Sequence, residues 1–354
     1  MSEWMIYGAN GYTGELIARE AQARGWRPVL AGRNAAALAR LGGSLGLPWR
    51  HFPVSRPELA DLAGIGLVLN CAGPFSATAA AMMRACVAAR AHYLDITGEI
   101  DVFEDAQTLS AVAREAGVVL CPGVGFDVVP TDCIALTLRE AMPDATHLAL
   151  GFQTNASMSP GSAKTAVEGL AVGGRVRRDG RIVTVPLGSP TRRIDFGAGE
   201  TAAMALAWGD VSTAYHTTGI GNIEVFVAVP QAVIDRVRWL RALRPLLGLA
   251  PVQGALRRRA GRLPGPTTHA RSASVSWVWG EVRNASGSIR TARVRTVNAY
   301  DLTVQASLAV TEFMLNGGNG QVGTLTPARL CGSGFVATLA GSSGPGSSGI
   351  VLSP

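Results

Sequence analysis

A chain of 354 residues with 47% apolar and 16% charged residues is long enough for two domains with a sizeable core, and its composition excludes a disordered or fibrous protein. Its formal net charge of +7 is unevenly placed: residues 1–150 hold 11 Arg against 15 Asp and Glu, so the positive excess lies in the remainder, where the single lysine, Lys164, also falls. Five scattered cysteines, Cys71, Cys86, Cys121, Cys133 and Cys331, lack metal-ligand spacing and read as reduced thiols of a cytoplasmic protein. The start lacks the basic region of a secretory signal, and the apolar stretch 66–91 is broken by Gly73-Pro74 and Arg84, so it is not read as a membrane span.

The first element is a short buried strand, Trp4 to Tyr7, followed at once by Gly8, Gly11 and Gly14 and then by a helical pattern from Glu15 to Arg24. Strand, glycine turn and helix in that order are what a dinucleotide site needs. Gly8 lets the chain turn out of the strand, Gly11 lets the backbone approach a pyrophosphate, and Gly14 lets the helix pack close, its N-terminus facing the phosphates. Asn10, Tyr12 and Thr13, inside the same turn and first helical turn, are assigned to this site. A second strand, Pro28 to Gly32, ends at Arg33. An acidic residue there would favour NAD; an arginine suits the 2′-phosphate of NADP.

A helix over Ala35–Leu41, a strand over Trp49–Val54 and a helical turn at Leu59–Leu62 lead to a fourth strand, Gly66 to Asn70. It runs into Cys71-Ala72-Gly73-Pro74, whose small residues allow close approach to the nicotinamide ribose and pyrophosphate. Cys71 lacks an adjacent base and reads as a small buried residue rather than a nucleophile. An Ala-rich helix to Ala91, a strand over His92–Thr97, a helix over Val102–Ala116 and a strand over Gly117–Cys121 complete a parallel sheet. Asp95, Glu99 and Asp127 fall at or near the carboxyl ends of strands, where ligands of such sheets sit. Gly98 and Glu99 are assigned to the cofactor and Asp127 to the nicotinamide side; each carboxylate also has a structural reading, as internal acceptor, helix charge or turn residue.

Beyond residue 145 the pattern changes. Strands are expected at His147–Gln153 and Ile223–Val229, a hairpin at Arg181–Leu187 with Thr191–Phe196, and another at Ser272–Val282 with Ser288–Val297 across Asn284-Ala285-Ser286-Gly287. Helices are expected over Pro160–Leu170, Ala232–Leu247 and Tyr300–Leu315. This gives a mixed, largely antiparallel sheet with helices. The Gly/Ser-rich residues 341–354 read as a flexible tail.

The motifs Tyr7-Gly8-Ala9-Asn10-Gly11-Tyr12-Thr13-Gly14, Ala31-Gly32-Arg33, Leu69-Asn70-Cys71-Ala72-Gly73-Pro74-Phe75, Tyr93-Leu94-Asp95-Ile96-Thr97-Gly98-Glu99 and Pro122-Gly123-Val124-Gly125-Phe126-Asp127, in this order, resemble the saccharopine dehydrogenase-like oxidoreductase family. Within it the chain is most similar to the branch that includes bacterial trans-acting enoyl reductases. The resemblance covers the first 135 residues well and the rest loosely. It implies an α/β protein: an N-terminal NADP-binding Rossmann-type domain over 1–135, a second α+β domain over 136–299 carrying the substrate pocket and a homodimer interface, the helix near 300–316 packing back on the first domain, and a C-terminal segment over 317–340.

Together these readings lead to an NADP(H)-dependent oxidoreductase acting on a small-molecule substrate. The first expectation is hydride transfer to an activated C=C of an acyl or lipid-like substrate; the alternatives are an imine or ketone of an amino-acid-like substrate, or a non-catalytic NADP-binding scaffold. The proton donor is expected from the second domain: Tyr215 or His216, in a polar stretch read as a loop, with Lys164 as the competitor. The arginine-rich segment 232–261 reads either as a solvated face or as a peripheral contact with an anionic membrane. No nucleic-acid-reading motif accompanies it, and no metal is expected.

Overall fold

The computed structural model describes residues 3–353 except 155–166, 168, 170–172, 198, 241–248, 261, 263–268, 270–273 and 343–348. The chain divides into two compact units, one formed by Met1–Asp127 with Leu302–Cys331 and the other by Val128–Asp301 with Gly332–Pro354.

The first unit is built on a seven-stranded parallel sheet. β1 (Glu3–Tyr7), β2 (Val29–Gly32), β3 (Trp49–His51), β4 (Ile65–Asn70), β5 (His92–Asp95) and β6 (Val119–Cys121) lie in the order 6-5-4-1-2-3. Central β1 aligns Met5 with Val29 on one side and Val68 on the other. The strands are nearly continuous apolar runs because both faces are covered. The helix Tyr12–Ala23 buries Gly14, Ile17, Ala18 and Ala21, a stripe at helical spacing. The helix Phe75–Ala89 does the same through Ala79, Met82, Met83 and Cys86, joining Tyr7, Val68 and Tyr93 in the core. β3 stops at His51, short of the expected Val54, because Pro53 cannot donate to a ladder. The helix expected over Val102–Ala116 is two, Ile100–Thr108 and Ser110–Ala116, separated at Leu109.

The helix Ala299–Leu315 enters this unit from Leu302 onward, and its Thr303 hydroxyl accepts the Phe126 N–H at 3.0 Å. The segment after it holds a seventh strand, β15 (Gly323–Thr324), which pairs in parallel with β6. The first unit ends at Asp127 rather than Ala135, and packing explains why. The helix Val129–Ala141 belongs to the second unit, where it lies so close to a strand that a Cβ on Gly280 would meet Ile134 Cγ2 at 2.4 Å.

The second unit's sheet runs β10-β11-β12-β7-β13-β14-β16, that is Thr191–Asp195, Glu200–Ala205, Asn222–Ala228, Ala145–Thr154, Val275–Asn284, Ile289–Val297 and Val351–Ser353. Only the β12–β7 pair of this path is parallel. A small core of Ile194, Phe196, Ala203, Phe226 and Trp279 fills one part of it. The hairpin expected between 181–187 and 191–196 does not form. β9 (Arg181–Val185) pairs instead with β8 (Gly174–Arg178) across Asp179-Gly180, both at positive φ (47° and 78°), and β10 pairs with β11. The tail departs from expectation too: Val351–Ser353 pairs antiparallel with β14. The Pro160–Leu170 helix falls almost wholly outside the described residues.

Candidate functional site

The glycine turn lies where β1 meets its helix. The Gly8 N–H and Ala9 N–H both donate to Ala31 O, and Gly11 N–H donates to Gly8 O at 2.9 Å, which closes the turn. The three glycines have different reasons to be there. Gly8 has φ +80°, and a Cβ on it would stand 2.8 Å from Ala72 N. A Cβ on Gly14 would stand 2.3 Å from Gly8 O, so this glycine sets how closely the helix approaches the strand. Gly11 is different: φ is −80°, ψ is 166°, and a Cβ would meet only Gly8 O, at 3.2 Å. Apart from that one contact the described residues leave room there, which suits a ligand at the helix N-terminus, whose N–H groups bind anions.

A cleft of about 530 Å³ opens at this turn. Gly8, Asn10 and Gly11 form one wall, Gly32 and Arg33 the end of β2, and Cys71, Ala72, Gly73 and Pro74 the loop after β4. Arg33 is exposed, and its guanidinium makes no hydrogen bond or ion pair with the described residues; its carbonyl lies 3.1 Å from His51 Nε2. Asn34, beside it, caps the next helix by accepting from Ala37 N–H. No carboxylate lines the cleft.

The remaining assigned residues stand behind this wall rather than in it. Tyr12, Thr13 and Gly14 form the first turn of the helix and do not line the cleft. Asn70 is fully buried: its Oδ1 accepts from Ala72 N–H at 3.0 Å and its amide donates to Tyr93 Oη at 3.2 Å, fixing the loop's first residues. Glu99 acts at a distance in sequence. Its two carboxylate oxygens accept from Phe75 N–H (2.9 Å) and Ser76 N–H (2.7 Å), the opening turn of the Phe75–Ala89 helix directly after Pro74. Glu99 therefore holds the loop that lines the cleft, and Gly98 lies against Asp127, where a Cβ would be 2.8 Å from Oδ2. Burial pushes the Cys71 thiol well above its usual range, which removes it as a nucleophile.

Two carboxyls, Asp95 at the end of β5 and Asp127 in the segment after β6, are held up in pKa. Asp95 is fully buried; burial raises it to about 6 against the lowering effect of bonds from Thr97 N–H, Tyr93 O–H and Gly123 N–H. It is an internal acceptor. Asp127 is half-buried, and burial, then the charge of Glu99, raises it to about 7.

Residues 4–121 match the family model of the saccharopine dehydrogenase NADP binding domain. The first unit carries an NADP-binding domain over those residues. Its cleft fits that cofactor through the open space at Gly11 and the arginine at the end of β2. Over 204 residues the chain is 26% identical to the human saccharopine dehydrogenase-like oxidoreductase, covering 49% of this chain and 47% of that protein. Over 206 residues it is 28% identical to the trans-acting enoyl reductase of Mycobacterium tuberculosis, covering 53% and 49%. The matched stretch thus spans about half the length of these curated relatives. The fold is shared with apo saccharopine dehydrogenase (L-Glu forming) from Saccharomyces cerevisiae, at a TM-score of 0.63, 12% identity and coverage of 92% of this chain and 94% of that one.

Tyr215 and His216 do not sit in a loop. They lie on the helix Asp210–Thr218 of the second unit. The Arg177 guanidinium covers the Tyr215 ring at 4.1 Å, and Arg177 itself donates to Val211 O and Gly180 O, so Tyr215 is engaged in packing of that unit. Lys164 lies outside the described residues. Sequence reasoning missed Pro53, Val54 and Ser55, which line the cleft after β3, and Thr78, which lines it from the helix and donates to Ala72 O at 2.6 Å. The Pro-Val-Ser run after a short strand was the available signal for the first three.

Proposed function

We propose that this chain is an NADPH-dependent reductase acting on an activated carbon–carbon double bond of an acyl or lipid-like substrate, with Asp127 as proton donor. The observation that carries the reading is that the unit holding the NADP cleft also holds Asp127, a carboxyl kept protonated to about neutral pH that lies against Gly98 in the loop after β5, outside the cleft lining. Bound NADPH supplies the hydride. Gly11 and the helix N-terminus take the pyrophosphate, Arg33 takes the 2′-phosphate, and Glu99 keeps the Cys71–Pro74 loop in place beside them. Asp127, protonated, would give its proton to the α carbon of the reduced acyl chain, leaving a carboxylate that regains a proton from solvent. The choice of an enoyl acyl substrate is supported by the enoyl reductases among the relatives.

The test is NADPH oxidation with α,β-unsaturated acyl thioesters of increasing chain length. Asp127→Asn should cut kcat by about a hundredfold or more with the NADPH dissociation constant unchanged, whereas Tyr215→Phe should retain most activity. Full activity of Asp127→Asn would remove Asp127 from the reaction. Turnover of imines or ketones with none on enoyl thioesters would replace the substrate class.

A further inference from the structure

Charge and exposed apolar surface coincide at one place in the second unit. From Gln231 to Arg262 the sequence holds eight arginines, one aspartate and no lysine or glutamate. This stretch alone therefore carries the chain's formal net charge of +7, and the remaining residues are neutral in sum.

The helix Gln231–Leu240 shows how part of that charge is presented. Its inner side is Ile234, 1% exposed, and Val237, whose Cγ1 would lie 2.9 Å from a Cβ on Gly188. The outer side carries Trp239, which at 82% is the most exposed large apolar side chain among the described residues, while Val233 (37% exposed), one turn before Val237, lies at the edge of the inner side. Arg236 and Arg238 are exposed beside Trp239. Arg238 reaches Thr191 Oγ1 at 3.1 Å and Asp235 at 4.0 Å, both at the surface and both replaceable by a phosphate. A helix with arginines flanking an open indole suits the boundary between lipid headgroups and acyl chains. There the ring is half solvated and half buried, and cations meet anionic phosphates.

We propose that the helix Gln231–Leu240 is a docking surface for an anionic lipid bilayer, with Trp239 entering the headgroup boundary and Arg236 and Arg238 engaging lipid phosphates. Charge complementarity selects an anionic partner, and the outward indole between arginines, with no nucleic-acid-reading motif beside it, selects a bilayer over a nucleic acid. This surface is independent of the cofactor reading, since none of its residues lines the NADP cleft.

The experiment is co-sedimentation of the full chain with phosphatidylglycerol-rich vesicles and with pure phosphatidylcholine vesicles, at low and high salt. Binding is expected on the anionic vesicles, with at least tenfold weaker binding on the neutral ones and at high salt. Each arginine near an anionic surface is worth about fivefold, so Arg236→Ala with Arg238→Ala should lose about twenty-fold or more. Trp239→Ser should weaken binding about tenfold or more and abolish the blue shift of tryptophan emission on vesicle addition. NADPH affinity should be unchanged in all of these variants, which shows that they fold. Absence of binding to anionic vesicles, equal binding by Trp239→Ser, or retention on DNA without vesicle binding would each overturn the proposal.

Discussion

Replacing Gly11 by valine separates what the fold needs from what the ligand needs. The residue's φ of −80° and ψ of 166° are open to any amino acid, and a Cβ there meets only Gly8 O, at 3.2 Å. That contact asks the turn to give by a few tenths of an ångström, while loss of glycine's unfolded-state freedom contributes about 0.4–1 kcal/mol in the other direction. The stability of the unliganded protein should therefore change by less than about 1 kcal/mol. In the complex, the valine methyls stand where the pyrophosphate meets the helix N-terminus. Two charge-assisted hydrogen bonds from backbone N–H groups, at about 1.5–3 kcal/mol each, are lost, so the NADPH dissociation constant should rise by a hundredfold or more. Gly14→Ala is the control. Its Cβ would stand 2.3 Å from Gly8 O, and because backbone cannot rotate away, the helix must shift by roughly 1 Å, which costs about 1–3 kcal/mol as an overpacked core does. Calorimetric titration with NADPH and a thermal melt of each variant decide the matter. Gly11→Val should lose affinity with its melting temperature kept, and Gly14→Ala should lose both. Unchanged affinity in Gly11→Val would place the pyrophosphate elsewhere and refute the argument.

Arg33→Ala should weaken NADPH by about tenfold or more through loss of one charge-assisted phosphate contact, while NADH affinity stays the same; equal shifts for both, measured by fluorescence titration, would remove Arg33 from cofactor choice. Glu99→Ala should lower stability by about 0.5–2 kcal/mol, as loss of a helix-end acceptor does, because Phe75 and Ser76 N–H lose their partner; a melt unchanged from the parent would contradict that role. The carboxyl of Asp127 is raised to about 7 from an ordinary value near 4, so the folded protein holds that proton more tightly than the unfolded chain. Its contribution is fully present below about pH 4 and is lost as pH rises through about 7. Asp127→Asn should therefore flatten the fall in melting temperature between pH 5 and pH 8, and reductase activity of the parent should decline above about pH 7; a steeper fall in the variant would reverse the sign of the argument.

The nucleotide half of the protein was legible because its constraints are local in sequence. Gly8, Gly11 and Gly14 act on backbone within one turn, and Arg33 follows β2 directly. Short parallel strands such as Met5-Ile6-Tyr7 and Leu67-Val68-Leu69 announce burial on both faces without reference to any partner. Glu99, expected at the cofactor, shows the opposite dependence. It follows β5 at a position where ligand residues occur, but its carboxylate is taken by N–H groups at the start of a helix 24 residues earlier. The second sheet was legible in kind and not in pairing. Asp179-Gly180 is a strong two-residue hairpin signal, yet it joins Gly174–Arg178, a strand whose arginines hide its alternation, to Arg181–Val185.

The polar run Asp210-Val211-Ser212-Thr213-Ala214-Tyr215-His216-Thr217-Thr218 shows how composition misleads when partners are distant. Six hydroxyl or carboxyl residues in nine suggest a solvated loop, and a loop suggests catalysis. In the structure Asp210, Ser212, Thr213, Thr217 and Thr218 are all buried. Asp210 accepts from the Thr131 hydroxyl at 2.7 Å and Thr217 donates to Asp132, so two helices present polar residues to each other in the interior. Each side of that pairing reads as a surface when taken alone, because the residue that makes its burial tolerable lies about eighty positions away. The same dependence on distant groups governs Asp127. Its residue type was visible from the start, but its protonation state is set by enclosure and by Glu99, 28 residues earlier, so its chemistry becomes readable only once the ends of β5 and β6 are brought side by side.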